Sequence, residues 1–120
     1  MLLVSDVSAE LAEVVHEAAT EVGLDVKSTS SAGDFKSAFV PFDPAVVALD
    51  LQFADMPWYE LLYWISETVR PPKLLLLSAD DEVLRMAVTL ARAWQLSLIA
   101  ALPTSVPRTE LQKVLAAETA

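Results

Sequence analysis

Short apolar runs alternate with amphipathic segments along the whole chain. Continuous apolar runs, typical of strands covered on both faces of a parallel sheet, predict strands at residues 2–4, 45–49 and 74–77. Residues 25–29 have the β-branched content of a short strand, and residues 96–100 are predicted to form the fifth. Between them, apolar residues recur at intervals of three and four, the spacing of one helix face. This pattern predicts five helices, at 9–22, 31–40 and 58–69, from 80 or 81 through 94, and after 107.

Capping and helix-breaking residues support these boundaries. Ser8 is a suitable N-cap and Gly23 a suitable residue just beyond the C-terminus of the first helix. Pro41 is expected to stop the second helix, and Pro71 with Pro72 the third. Five βα units in strict alternation predict a doubly wound parallel sheet with helices on both faces, an α/β/α sandwich of three layers.

Composition restricts the chemistry that such a domain can perform. The chain has 120 residues, no Cys, one histidine (His16), and 17 acidic against 8 basic residues, for a net charge of −9. Disulfide scaffolds, thiol nucleophiles, thiolate zinc sites and histidine-rich metal clusters are excluded. Because an acidic surface repels phosphate backbones and anionic lipid, we expect neither nucleic acid nor membrane as a partner.

The length and the termini predict one domain over residues 1–120, cytoplasmic and without a signal peptide or membrane span. Whether the chain is part of a longer protein stays open. The only glycines are Gly23 and Gly33, so a glycine-rich loop for a nucleotide or flavin phosphate is missing. Rossmann and P-loop functions are therefore excluded.

Polar residues follow the predicted strands at their carboxyl ends, where open α/β sheets bind ligands. Asp6 follows the first strand, Asp50 the third and Ser78 the fourth, and the fifth runs into Thr104 and Ser105. Two neighbouring carboxylates repel each other unless a hard cation lies between them, and oxygen ligands of this kind suit Mg²⁺. A carboxylate so placed can attack phosphorus, and a hydroxyl opposite it can donate to a phosphoryl oxygen.

Three segments resemble the receiver domain of bacterial two-component response regulators: LLVSD, DPAVVALDLQFADMPWYELLYWI and PPKLLLLSAD. The resemblance covers essentially the whole chain and implies a flavodoxin-like sheet of order 2-1-3-4-5. It implies that Asp50 is the phospho-acceptor, that Ser78 senses the phosphoryl group, and that Mg²⁺ is held by Asp6, Asp50 and the backbone carbonyl of Gln52. The implied role is regulatory rather than enzymatic. The implied partners are a sensor histidine kinase or phosphotransfer protein, and an output domain or effector protein.

The sequence departs from the family pattern at several positions. Ser5 stands where the family has a first acid, which should weaken Mg²⁺ binding. The Lys-Pro pair that follows the fifth strand in the family falls on Thr104 and Ser105, and the neighbouring register through Leu102 and Pro103 supplies no cation either. The family's aromatic switch position falls on Ala101. In the loop after Asp50, the family's usual Pro and Gly fall on Ala54 and Trp58.

These departures leave a second hypothesis, a pseudo-receiver that acts independently of phosphorylation as a protein-interaction or dimerisation module. Tyr59, Tyr63 and Trp64 lie off the apolar stripe of the third helix, which favours an interface there, and a second copy of the chain is a candidate partner. A small flavin-binding or hydrolytic α/β protein ranks last, because the chain has neither a phosphate loop nor a nucleophile paired with a histidine.

Overall fold

Five parallel strands form one sheet in the computed structural model, which describes residues 2–5, 9–29, 32–51 and 57–117. The strands are β1 (Leu2–Ser5), β2 (Val26–Thr29), β3 (Val46–Asp50), β4 (Lys73–Ser78) and β5 (Leu98–Pro103). Their order is β2-β1-β3-β4-β5, and each neighbouring pair is parallel. The predicted doubly wound sheet and its strand order are confirmed.

Five helices cover the two faces of this sheet: α1 (Ala9–Glu21), α2 (Ala32–Phe42), α3 (Trp58–Ser66), α4 (Asp81–Ala93) and α5 (Arg108–Ala116). Successive residues of a strand point to opposite faces, so β4 contributes to both cores. Leu74 and Leu76 pack with α2, α3 and α4, whereas Leu75 and Leu77 pack with α1 and α5. The three-layer arrangement therefore follows from apolar side chains on both faces of the central strands. No helix among the described residues is long and apolar enough to cross a bilayer.

Two predicted helix boundaries are wrong. Helix α2 continues through Pro41, because a proline in the last turn forfeits only its own N–H bond while the N–H of Asp43 still reaches the Phe39 carbonyl at 2.9 Å. The helix ends where Asp43 adopts a left-handed φ of 48°. Helix α3 ends at Ser66 and not at the predicted residue 69, and Val69 is 98% exposed.

Strand β5 begins two residues later than predicted. After α4, Gln95 adopts a left-handed φ of 61°, and the N–H of Leu96 bonds back to the Ala91 carbonyl at 2.8 Å. Leu96 is therefore buried as part of the helix end and does not enter the sheet.

Trp64 packs against α2 instead of forming an exposed surface. Its ring makes edge-to-face contacts with Phe39 at 5.2 Å and Phe35 at 6.4 Å, and the Lys36 ammonium lies 5.5 Å from its centre. The half-buried Trp64 thus extends the core between α2 and α3. The prediction that it lies off the buried face of α3 is wrong, whereas an interface on this helix stays a prediction. Tyr59 and Tyr63 are about half exposed, as that prediction required of them.

Candidate functional site

The carboxyl ends of three neighbouring strands lie level with one another. Asp50 is the last residue of β3 and pairs with Leu77, and Ser78 is the last residue of β4 and pairs with Pro103. Thr104 follows directly after β5. The sheet therefore brings Asp50, Ser78 and Thr104 to one edge, where sequence analysis placed the site.

Asp50 is a buried carboxylate, with 3% of its surface exposed. It ends a strand whose other four residues are apolar and buried, and the backbone remains paired beyond it because the Leu51 N–H donates to the Leu77 carbonyl at 2.9 Å. Burial of an ionised carboxylate is costly unless a cation or hydrogen-bond donors compensate it. The main chain thus holds Asp50 rigidly in a place where its charge requires compensation.

Ser78 is completely buried, and its hydroxyl oxygen accepts a hydrogen bond from the Asp80 N–H at 3.1 Å. The first turn of α4 is capped by Asp80, whose carboxylate accepts from the N–H groups of Glu82 at 2.9 Å and Val83 at 3.3 Å. Asp80 is therefore the N-cap, and α4 begins at Asp81, one of the two predicted starts. The sequence also leaves open that Ser78 caps the start of this helix, and its bond from the Asp80 N–H is a local contact of that kind, at a spacing of two residues.

Thr104 lies beside Ser78 and is half-buried. Its backbone N–H donates to the Ser78 carbonyl at 3.3 Å, one residue past the end of β5. Thr104 thus lies at the end of β5, where the resemblance to receiver domains predicts the position of the family's lysine.

The remaining predicted ligands, Asp6 and Gln52, lie outside the described residues, as does Ala54. The last residue of β1, Ser5, pairs with Leu49, so β1 ends beside the end of β3. Within the described ranges, no three acidic or histidine side chains lie close enough together to hold a metal ion. Asp50 is thus the one predicted Mg²⁺ ligand whose surroundings are described.

Ala101, the predicted aromatic switch position, is half-buried in the middle of β5. It lines a groove of about 640 Å³ together with Leu84, Val88 and two arginines of α4, Arg85 and Arg92. The methyl group of Ala101 leaves this groove open.

A second groove, of about 770 Å³, runs between α3 and α4. Trp58, Tyr59, Met86 and Leu90 form most of its walls, and Tyr59 and Met86 are each 49% exposed. Sequence analysis identified Tyr59 as off the apolar stripe but did not single out Met86, whose exposure depends on how the two helices pack.

Comparisons with known proteins give a consistent picture of the fold. No family model matches the sequence, and no curated protein matches it. Among solved structures, a response regulator from Colwellia psychrerythraea superposes with a TM-score of 0.83 at 21% identity, over 98% of this chain and 94% of that one. A signal receiver domain from Bermanella marisrubri gives 0.80 at 17% identity, over 99% and 97%.

The BeF3-activated DrrB receiver domain of Thermotoga maritima gives a TM-score of 0.74 at 23% identity, over 93% of this chain and 90% of that domain. All three structures superpose on at least 93% of this chain with TM-scores of 0.74 or more. The chain therefore has the fold of the response-regulator receiver domains.

Proposed function

We propose that this chain is a signal-transduction receiver domain that accepts a phosphoryl group on Asp50. The observation that carries the proposal is the burial of Asp50 at the end of β3, level with Ser78 and Thr104 at the ends of the next two strands. A carboxylate at the ligand-binding edge of a doubly wound sheet is suited to covalent chemistry at phosphorus.

In the proposed reaction, a carboxylate oxygen of Asp50 forms a bond to phosphorus as the bond from phosphorus to the donor breaks. The donor's leaving group takes the electron pair, and Asp50 becomes an acyl phosphate. The Ser78 hydroxyl donates a hydrogen bond to a phosphoryl oxygen, where negative charge is concentrated. Thr104 offers a weaker, uncharged contact in place of an ammonium group.

Two carboxylates and a backbone carbonyl form a donor set of hard oxygen atoms, which suits Mg²⁺. Asp50 supplies one of them from the described edge, and Asp6 and the Gln52 carbonyl are the proposed others. The ion supplies positive charge that offsets the charge of the incoming phosphoryl group. With Ser5 where the family has an acid, binding of the ion should be weaker than in the family.

The partners we propose follow from this chemistry. A sensor histidine kinase or phosphotransfer protein would donate the phosphoryl group, and an output domain or effector protein would respond to it. The domain is then a regulatory phospho-acceptor in the cytoplasm rather than an enzyme acting on a separate substrate.

The decisive test is mass spectrometry of the intact chain after incubation with acetyl phosphate and Mg²⁺. We expect the mass of one phosphoryl group to be added to the wild type and to Asp43→Ala, which removes an exposed carboxylate elsewhere. Asp50→Ala should gain none. An unmodified wild type, or an equally modified Asp50→Ala variant, would exclude Asp50 as the acceptor.

A second candidate function is a pseudo-receiver that binds partners without phosphorylation. It is favoured by the uncharged Thr104 and by the apolar groove that exposes Tyr59 and Met86 between α3 and α4. If this groove mediates dimerisation, Tyr59→Ala should weaken association in sedimentation experiments with or without acetyl phosphate. Val40→Ala, at an exposed apolar position on α2, is the matched control and should leave association unchanged.

A further inference from the structure

The Ser78 hydroxyl is completely buried at the carboxyl end of β4. Its oxygen accepts a hydrogen bond from the Asp80 N–H at 3.1 Å. A serine hydroxyl has one hydrogen to donate and two lone pairs to accept with. Because the bond from Asp80 occupies a lone pair and not the hydrogen, it can orient the oxygen without using the hydroxyl's capacity to donate.

The position of the Asp80 N–H depends on the Asp80 side chain. Asp80 has an extended backbone, with φ −106° and ψ 112°, and its carboxylate bonds to two N–H groups in the first turn of α4. These bonds hold the residue between β4 and α4 in one conformation. Losing them would free the peptide that contacts the Ser78 oxygen.

We propose that Asp80 is a positioning residue for phosphoryl transfer to Asp50: by capping α4 it fixes its own N–H, which holds the Ser78 hydroxyl as a preorganised donor. The proposal rests on the phospho-acceptor function proposed above. Asp80 is exposed and acts through Ser78, so it is not a catalytic residue itself.

Preorganisation has an expected size. Without the Asp80 bond, the Ser78 side chain can occupy three staggered rotamers. Only one of the three would direct the hydroxyl to the phosphoryl oxygen, so about a third of the molecules would be ready to donate. The Asp80→Ala variant should therefore accept phosphoryl groups about 3-fold more slowly. Ser78→Ala, which removes the donor, should be slower by about 100-fold, the lower end of the effect of losing one oxyanion-hole donor.

The experiment measures the initial rate of acyl phosphate formation with acetyl phosphate and Mg²⁺ by intact-mass spectrometry. Asp80→Asn retains a capping side chain without the charge, so it should react at the wild-type rate. Asp81→Ala removes a neighbouring exposed charge that makes no cap bond, and it should also react at the wild-type rate. In a Ser78→Ala background, Asp80→Ala should slow the reaction no further.

The double-mutant cycle separates positioning from a general effect of the cap. A cap that only stabilises the fold would change thermal stability and rate similarly with or without the Ser78 hydroxyl. A 3-fold loss that persists in the Ser78→Ala background, or that Asp80→Asn fails to rescue, would overturn the proposal. If the wild type itself forms no acyl phosphate, the proposed function fails first and the positioning role with it.

Discussion

The backbone N–H of Thr104 donates a hydrogen bond of 3.3 Å to the carbonyl oxygen of Ser78. This bond extends the pairing of β4 and β5 by one residue past the Ser78 and Pro103 pair that ends both strands. It fixes the start of the Thr104 side chain beside the buried hydroxyl of Ser78. A side chain at position 104 is therefore attached at the same edge of the sheet as Asp50.

Restoring a cation at this position should stabilise the phosphorylated state. We expect Thr104→Lys to raise the yield or lifetime of the Asp50 acyl phosphate by about 10-fold, since a charge-assisted bond in a half-buried site contributes about 1.5 kcal/mol or more. The measurement is the intact mass over time after the acetyl phosphate is removed. Ala93→Lys adds the same charge at the far end of α4 and should have no effect. If the two variants behaved alike, the match of Thr104 to the family's lysine position would be contradicted.

Magnesium binding should be detectable through Trp58. This half-buried side chain begins α3, eight positions after Asp50, and should report on the acceptor loop, although Trp64 and Trp94 add background emission. Titration with Mg²⁺ should change the fluorescence in a range on the order of millimolar, typical of a shallow site that retains several waters. Asp6→Asn should move the titration to higher Mg²⁺, and Ser5→Asp to lower, because they remove and add one negative charge.

A response in the wild type that neither substitution shifts would place the ion elsewhere on the acidic surface. Asp43→Asn is the control for a general loss of negative charge, because Asp43 is exposed at the end of α2, and it should leave the midpoint unchanged.

Trp64 should contribute to stability and not to association. Trp64→Ala removes edge-to-face contacts with Phe35 and Phe39, and we expect it to lower the free energy of unfolding by about 2–4 kcal/mol. Urea denaturation measures this directly. Tyr59→Ala, at a half-exposed position on the same helix, should cost less than about 1 kcal/mol. A loss for Trp64→Ala as small as that of Tyr59→Ala would contradict the packing described between α2 and α3.

The end of α1 should depend on the backbone freedom of Gly23. Its φ is +84°, and a Cβ atom built there meets no other atom within 4 Å, so Gly23→Ala introduces backbone strain without a clash. We expect a loss of about 1 kcal/mol in thermal or urea denaturation. Gly33→Ala, at an exposed position inside α2, removes the other glycine and should leave stability unchanged or slightly higher. The same loss in both variants would argue against the left-handed conformation.

Much of the architecture could be predicted from the pattern of apolar residues. Continuous apolar runs marked the central strands because both of their faces are buried, and helical periodicity identified all five helices. Because the carboxyl ends of parallel strands lie at one edge of a sheet, Asp50, Ser78 and Thr104 could be placed at that edge from the predicted strand ends alone. The strand order came from the resemblance to receiver domains, since periodicity does not say which strands are neighbours.

What the sequence determined by itself were properties of single segments: strand or helix, the face to be buried, and the polar residue that ends each strand. The tertiary structure decided where segments meet. It placed Trp64 between α2 and α3, and it left Met86 half exposed beside the groove between α3 and α4. Local periodicity reflects how one segment divides its surface between core and solvent, whereas these contacts depend on the positions of other segments and the path of the connecting loops.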